Sequence, residues 1–515
     1  MLDYVILALY ALAMVGIAVY TKNRSGSVND FLLAGKRGLN GWMTAFAYGT
    51  TYFSAVIFIG YAGQFGRTFG LASVWIGIGN ALIGTLLAWL VLAKRTKNMT
   101  ARLGAKTMPD FFEKRYGDKK LKLYSAIVIF ILLIPYSASV YNGLGSLFGI
   151  VFGIPGWIIT VVLAALTALY LFFGGYFATA LSDFIQGIIM IIGVVCMIVC
   201  FMNSENVAWD ISPIAENPNL AWFTFEAEST GLYGSTVSLI SLILLTSLGV
   251  WALPQTIHKY YAIRDKKAIT QGVVVSTVFA LVIGFVAYFS GALSVLFPQT
   301  VGVPDSEVIP IMLKTAIPAG LTGVIAVLIL SASMSTLSSV SLAGASVIAV
   351  DVYKESLDRK GKADNDRRVN IVMKLFCLGF VVISVVLALL NEKFGIAAIA
   401  YMMGLSWGTI AGCFIGPYVL GVIWRRVSRA AVWTSTIASP ILTATLILVI
   451  GYDKCGAGAA FGDVLKAGVA SSPLIGVICM LFSLIATAVI SLLTKAPSDE
   501  IIAGAFDKSF EGEIK

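Results

Sequence analysis

The chain of 515 residues is 58% hydrophobic and 12% charged, with a mean hydropathy of +0.90, where a soluble chain is roughly 45–50% apolar and about 25% charged. That excludes a water-soluble globule, and 30 Phe, 20 Tyr and 10 Trp exclude a solvated disordered chain. A lone histidine, His258, excludes a multi-histidine metal site, and no G-x-x-x-x-G-K-[ST] loop occurs for nucleotide hydrolysis. Only helices and closed barrels satisfy every backbone group in lipid. The apolar runs here are long and continuous rather than alternating over about 10 residues, so helices are expected.

A crossing takes about 20 apolar residues, and thirteen spans are predicted in chain order, at about 2–20, 40–66, 72–93, 121–152, 156–173, 178–203, 235–258, 268–298, 320–350, 366–391, 395–424, 428–451 and 472–495. The first lacks a basic leader and a small-x-small exit, and reads as a retained helix. The spans divide the chain into an extra N-terminal helix and loop (1–39), five helices (40–203), an acidic loop (204–234), five more helices (235–424), two C-terminal helices (425–495) and a tail (496–515).

Lys and Arg concentrate in cytoplasmic loops. With the N-terminus outside, 31 of the 36 basic residues fall on the inner side, Arg115, Lys122 and Lys259 among them, and 5 fall outside. The outer loop from Asn203 to Gly234 carries Glu205, Asp210, Glu216, Glu226 and Glu228 with no base. The net charge of +9 is therefore a record of topology and not a nucleic-acid surface, since no basic segment is interleaved with aromatics. The C-terminus is expected in the cytoplasm and the chain in the plasma (inner) membrane.

Five is odd, so the second set of five helices starts from the opposite face of the membrane and is inverted by counting alone, the pattern of secondary transporters with sites at interrupted helices. The first helix of each set carries helix-weakening sequence. In one it is Gly49-Thr50-Thr51-Tyr52-Phe53-Ser54-Ala55; in the other Thr246-Ser247-Leu248-Gly249 leads into Trp251-Ala252-Leu253-Pro254-Gln255. Proline removes a donor and frees a carbonyl, and carbonyls freed at mid-membrane need protein, water or an ion.

The ninth helix carries seven hydroxyls in the eleven residues from Ser331 to Ser341. Ser335 lies one turn from Ala332 and Ser339, with Thr336 and Ser338 beside that stripe. Hydroxyl and carbonyl oxygens are hard ligands for a hard cation, although Ser/Thr stripes also serve close helix packing. Asp183 is the other outlier: a carboxylate within an apolar run is a functional candidate, with a plain helix cap as the alternative. Five of the six cysteines lie in apolar runs, as buried small residues do.

Three segments in order, Gly174-Gly175-Tyr176-Phe177-Ala178-Thr179-Ala180-Leu181-Ser182-Asp183-Phe184-Ile185-Gln186-Gly187, Pro254-Gln255-Thr256-Ile257-His258-Lys259-Tyr260-Tyr261 and Met334-Ser335-Thr336-Leu337-Ser338-Ser339, resemble the sodium:solute symporter family over about residues 2–430. The resemblance implies an all-α polytopic membrane fold of the leucine-transporter type, an inverted five-plus-five repeat with about thirteen helices. It implies a main sodium site from the carbonyls of Thr50, Phe53 and Ala332 and the hydroxyls of Ser335 and Thr336. A second sodium site, as in the sialic-acid symporters, would use Asp183 with Ser335, Ser338 and Ser339.

By the same resemblance the solute sits against the break at Ser54, Ala55, Val56 and Ile57, with Tyr136, Thr246, Val250, Trp251, Ser406 and Trp407 completing the wall. Ile57 and Gly77 stand where the galactose transporters carry Gln and Glu, which argues against a sugar. Tyr136 stands where the sialic-acid transporters carry arginine, and Thr246 and Val250 where the proline transporters carry aromatics, which argues against those two solutes. A small amino acid or organic acid is left, its carboxylate at a half-helix N-terminus.

The expected function is a sodium-coupled symporter importing a small organic solute by alternating access, with sodium, solute and lipid as partners and no nucleic acid. The alternatives are a transporter-like sensor, against which the short tail after 495 speaks, a proton-coupled symporter, and a channel. No nucleophile stands with a base, so an enzyme is not expected.

Overall fold

A computed structural model describes residues 2–22, 26–33, 39–223, 235–359, 366–395, 397–456 and 458–506. These residues are helical apart from turns, loops and one isolated bridge between Leu39 and Ile263. Among them, ten helices are long and apolar enough to cross a membrane, or eleven if one bent pair counts as a single span. The thirteen spans expected are not separated by this measure. The segments at 156–173 and 178–203 run together as Gly156–Asn203, interrupted where Gly175 takes φ 57°, ψ −153°, a conformation that only glycine adopts freely. The stretch after the first break likewise runs on as Val56–Leu103, and the half-helix before it, Gly41–Tyr52, is too short to count.

Both expected breaks are present, each with a local cause. Gly41–Tyr52 starts on Asn40, whose side chain accepts from the Met43 N–H at 2.8 Å. Near its end, the Thr50 and Thr51 hydroxyls donate back to the Phe46 and Ala47 carbonyls at 2.8 and 2.6 Å. Such back-bonding competes with the helical ladder and bends it. Phe53 is extended (φ −104°, ψ 119°), and the chain recoils as a π-helix, Val56–Tyr61. In the second repeat, Ser235–Gly249 tightens to a 3-10 turn, Val250–Ala252; Leu253 is extended, and Pro254 opens the half-helix Pro254–Tyr261 at a bend of 46°. Proline favours extended backbone before it and suits the first helical position after it.

Thr322–Ser346, the hydroxyl-rich helix, is the axis of the molecule and is buried almost throughout. It packs on Gly156–Asn203, Lys119–Phe152, Asp366–Phe394, Leu2–Thr21 and both broken helices. Leu2–Thr21 and Asp366–Phe394 instead expose Leu9, Leu12, Leu375 and Val382, the pattern of lipid-facing helices. Glycines let backbones meet: a Cβ on Gly408 would lie 2.6 Å from the Gly476 Cα, the close approach that small residues permit between membrane helices.

Three of the bases counted on the inner side are not free surface charges. Arg115 is buried, its guanidinium donating to the carbonyls of Gly421 at 3.0 Å and Trp424 at 3.1 Å. Lys122 gathers Glu113 at 2.8 Å, Glu355 at 3.4 Å and Asp110 at 3.5 Å. Lys259 is shut away inside the bundle. Each lost water only because carbonyls or carboxylates replaced it.

Candidate functional site

The last carbonyls of a helix have no partner within it, and at the first break these belong to Thr50, Thr51 and their neighbours. The hydroxyl helix meets them. The Ser335 hydroxyl lies 3.0 Å from both the Thr50 carbonyl and the Ala332 carbonyl. The Thr336 hydroxyl lies 3.2 Å from the Thr51 carbonyl and 3.1 Å from that of Ala332. Thus Thr50, Ala332, Ser335 and Thr336 converge in a fully buried cluster, and extended Phe53 turns its carbonyl out of the helical ladder at the same break. The cluster is made of neutral oxygens, and each hydroxyl hydrogen has an alternative acceptor in its own helix, so it can rotate and turn a lone pair inward. Such a donor set suits a hard monovalent cation.

One turn further along, Asp183 is far from a cap: it lies inside Gly156–Asn203, fully buried. Its Oδ2 stands 3.4 Å from the Lys259 ammonium, which also donates to the Ser339 hydroxyl at 2.8 Å. Ser339 in turn meets the Thr51 hydroxyl at 3.0 Å, while Ser338 donates to the Ser335 carbonyl at 3.0 Å. The residues read as a second sodium site are therefore partly assembled, with a lysine ammonium among them. Sequence reasoning missed it because a base at the edge of an apolar run reads as a loop charge.

The residues expected to line the solute are brought together and shut away from solvent. Ser54, Ala55, Ile57, Tyr136, Thr246, Ser406 and Trp407 are all buried. Ala55 N–H donates to the Ser333 hydroxyl at 3.2 Å, and the Ile57 N–H to the Ser54 carbonyl at 3.0 Å, so the break is already hydrogen-bonded. Tyr136 and Trp407 meet edge to face at 5.4 Å, Tyr52 stands 6.1 Å from Trp407, and Ser406 donates to the Leu132 carbonyl. The Trp407 indole N–H has no hydrogen-bond partner among the described residues, and the Tyr136 hydroxyl faces Ser54 and Thr336 without a well-formed bond to either. Trp251 is half-buried and turned aside, its indole donating to the Ile83 carbonyl at 3.0 Å.

Two further residues touch this group and were not singled out from the sequence. Tyr52 donates to the Thr246 carbonyl at 2.6 Å, and buried Asn80 accepts from the Thr246 and Ser247 hydroxyls at 2.7 and 3.2 Å. A lone amide within an apolar span was the available signal for Asn80. Beside the wall, a cavity of about 230 Å³ is lined by Gln64, Phe65, Leu242, Tyr401 and Lys454. Leu242 is one helical turn from Thr246, whose hydroxyl reaches its carbonyl at 2.8 Å.

Two helices broken at mid-length, both packed on a buried hydroxyl-bearing helix, define a multi-pass secondary transporter. A model of the sodium:solute symporter family matches residues 31–451. The osmoregulated proline transporter OpuE of Bacillus subtilis (strain 168) is 30% identical over 96% of this chain and 95% of its own length. A sodium/proline symporter of Staphylococcus aureus is 27% identical over 85% of this chain and 84% of its own. In fold, the chain resembles the substrate-bound, outward-open structure of a Na+-coupled sialic acid symporter, with a TM-score of 0.73, 18% identity and coverage of 97% and 99%. The chain belongs to the sodium:solute symporter family, and sodium is its co-transported ion.

Proposed function

We propose that the coupling sodium binds where the first break meets the hydroxyl helix, held by the carbonyls of Thr50, Phe53 and Ala332 and the hydroxyls of Ser335 and Thr336. The observation that carries this is the convergence of Ser335 and Thr336 on the Thr50, Thr51 and Ala332 carbonyls at 3.0–3.2 Å. A bound ion ties the broken helix to the hydroxyl helix and so stabilises the solute-competent state, since a ligand shifts an equilibrium by its differential affinity for the two forms. Each entering charge adds about 2.3 kcal/mol per 100 mV of membrane potential.

The solute we propose is a small amino acid, with proline the first candidate. Two relatives are named for proline, and the aromatic surface that Thr246 and Val250 do not provide comes instead from Tyr52 and Trp407. The Tyr136 hydroxyl and the unpartnered Trp407 N–H are donors suited to a carboxylate, and no charged side chain stands among the wall residues named above. The distribution of basic residues supports thirteen spans, an outside N-terminus and a place in the plasma membrane.

The test is uptake into proteoliposomes by the purified full chain, over a panel of amino acids, organic acids and sugars, with and without a sodium gradient. Sodium-driven proline accumulation is expected. Uptake driven by a proton gradient without sodium would overturn the coupling; sodium-driven uptake of a different solute, with none of proline, would overturn the solute alone.

A further inference from the structure

The Lys259 side chain is 1% exposed and that of Asp183 0%. An ammonium has three N–H donors, and this one has three neighbours to receive them. They are Asp183 Oδ2 at 3.4 Å, Ser339 Oγ at 2.8 Å and the face of the Tyr176 ring, whose centroid is 5.2 Å away. Carboxylate, hydroxyl and aromatic face are the partners that make a buried ammonium tolerable. The lysine reaches them from Pro254–Tyr261, the half-helix that follows the second break; Asp183 belongs to Gly156–Asn203 and Ser339 to Thr322–Ser346. Three helices are thus joined by one covalently tethered positive charge.

Asp183 Oδ1 has no partner among the described residues. A sodium ion beside it would have the Lys259 ammonium as its neighbour, and two cations would share one carboxylate. The like-charge repulsion that drives such groups apart opposes binding there.

We propose that Lys259 is the built-in cation of this cluster: its ammonium holds the place that a second coupling sodium would take, so one sodium accompanies each solute. The inference rests on the main cluster being the sodium site. The lysine is a positioning and stoichiometry-setting residue, a permanent link where the main cluster uses a removable one.

The test is equilibrium binding of radioactive sodium to the purified full-length chain in detergent, counted per folded monomer. One ion is expected in the wild type, two in Lys259→Met and one again in Asp183→Asn/Lys259→Met; Lys259→Arg, which keeps the charge, stays at one. Two ions in the wild type, or no gain in Lys259→Met, overturns the proposal. No ion in the wild type but one in Lys259→Met sinks the main sodium site and leaves the role of Lys259 standing. Should Lys259→Met fail to elute as a folded monomer, Lys259→Gln replaces it, and the wild-type count by itself still overturns the proposal if it is two.

Discussion

Two oxygen clusters lie one turn apart on the same helix, and they differ in charge. Around Ser335 and Thr336 every group is neutral, and carbonyls from a broken helix supply what a cation needs. Around Ser339 a carboxylate is present and its countercharge is already there. As the proposed sodium site, the neutral cluster would gain by taking up an ion and lose little by releasing it. The charged cluster is different: bringing a second unit charge within about 4 Å of an ammonium costs about 4 kcal/mol at an effective dielectric of 20. A carboxylate in a membrane helix thus has to be weighed together with its partners, here a lysine ammonium, before it is assigned to an ion.

The largest effect that separates the clusters is stability in the absence of sodium. Lys259→Met leaves the Asp183 carboxylate buried and unpaired, a change that costs about 3–5 kcal/mol. Denaturation of the purified protein in sodium-free buffer should show that loss, and Asp183→Asn/Lys259→Met should recover most of it. Equal stability of Lys259→Met and wild type would mean that the pair is not formed, and the contrast would collapse.

Next in size is the sodium requirement. Ser335→Ala or Thr336→Ala removes a neutral oxygen that bonds the break carbonyls when no ion is present and, in the proposed site, ligates the ion when one is. Hydrogen bonds and contacts to charged groups are worth about 1.5–3 kcal/mol, so half-saturating sodium should rise about 10- to 100-fold in uptake. Sodium-free stability should fall by only about 1 kcal/mol, the worth of the hydrogen bond to the break carbonyl. Normal sodium activation in both variants would remove the main site from this cluster.

How much of this was legible in the sequence follows from the range of the forces involved. The breaks were readable because their causes are local: Thr50 and Thr51 bond back within one turn, and Pro254 acts on its own neighbours. The hydroxyl helix was readable because seven hydroxyls in an apolar run need a reason. The expected spans 156–173 and 178–203 are not separated by length alone, because Gly175 kinks Gly156–Asn203 without a polar loop to mark a boundary. Lys259 was misread because its meaning depends on Asp183, 76 residues earlier. Tyr52 hid in the same way, since an aromatic in an apolar run carries no sign of the Thr246 carbonyl that it reaches from 194 residues away.

A smaller effect is expected at the solute wall. The Tyr136 hydroxyl faces Ser54 and Thr336 without a well-formed bond to either, so Tyr136→Phe should leave stability almost unchanged. If the hydroxyl meets the solute, its loss costs about 0.5–1.5 kcal/mol of binding. The solute concentration for half-maximal uptake should then rise about 2- to 12-fold with the sodium requirement unaltered. A raised sodium requirement instead would place Tyr136 with the ion and blur the boundary between wall and main cluster.

The smallest effect probes the join between the two clusters. Thr51 offers its carbonyl to Thr336 at 3.2 Å and its hydroxyl to Ser339 at 3.0 Å, so one residue touches both. Thr51→Val keeps the carbonyl and the side-chain shape and removes only the hydroxyl with its two bonds; the back-bond to Ala47 competes with the helical ladder and contributes little, so the loss is about 1 kcal/mol, from the bond to Ser339. The loss should appear in sodium-free stability, because Ser339 still receives the Lys259 ammonium but loses its second neighbour. Half-saturating sodium should move by less than about 3-fold, because the carbonyl facing Thr336 is unchanged. A larger shift would mean that the hydroxyl of Thr51 transmits the state of the charged cluster to the neutral one, and the two would then behave as a single site.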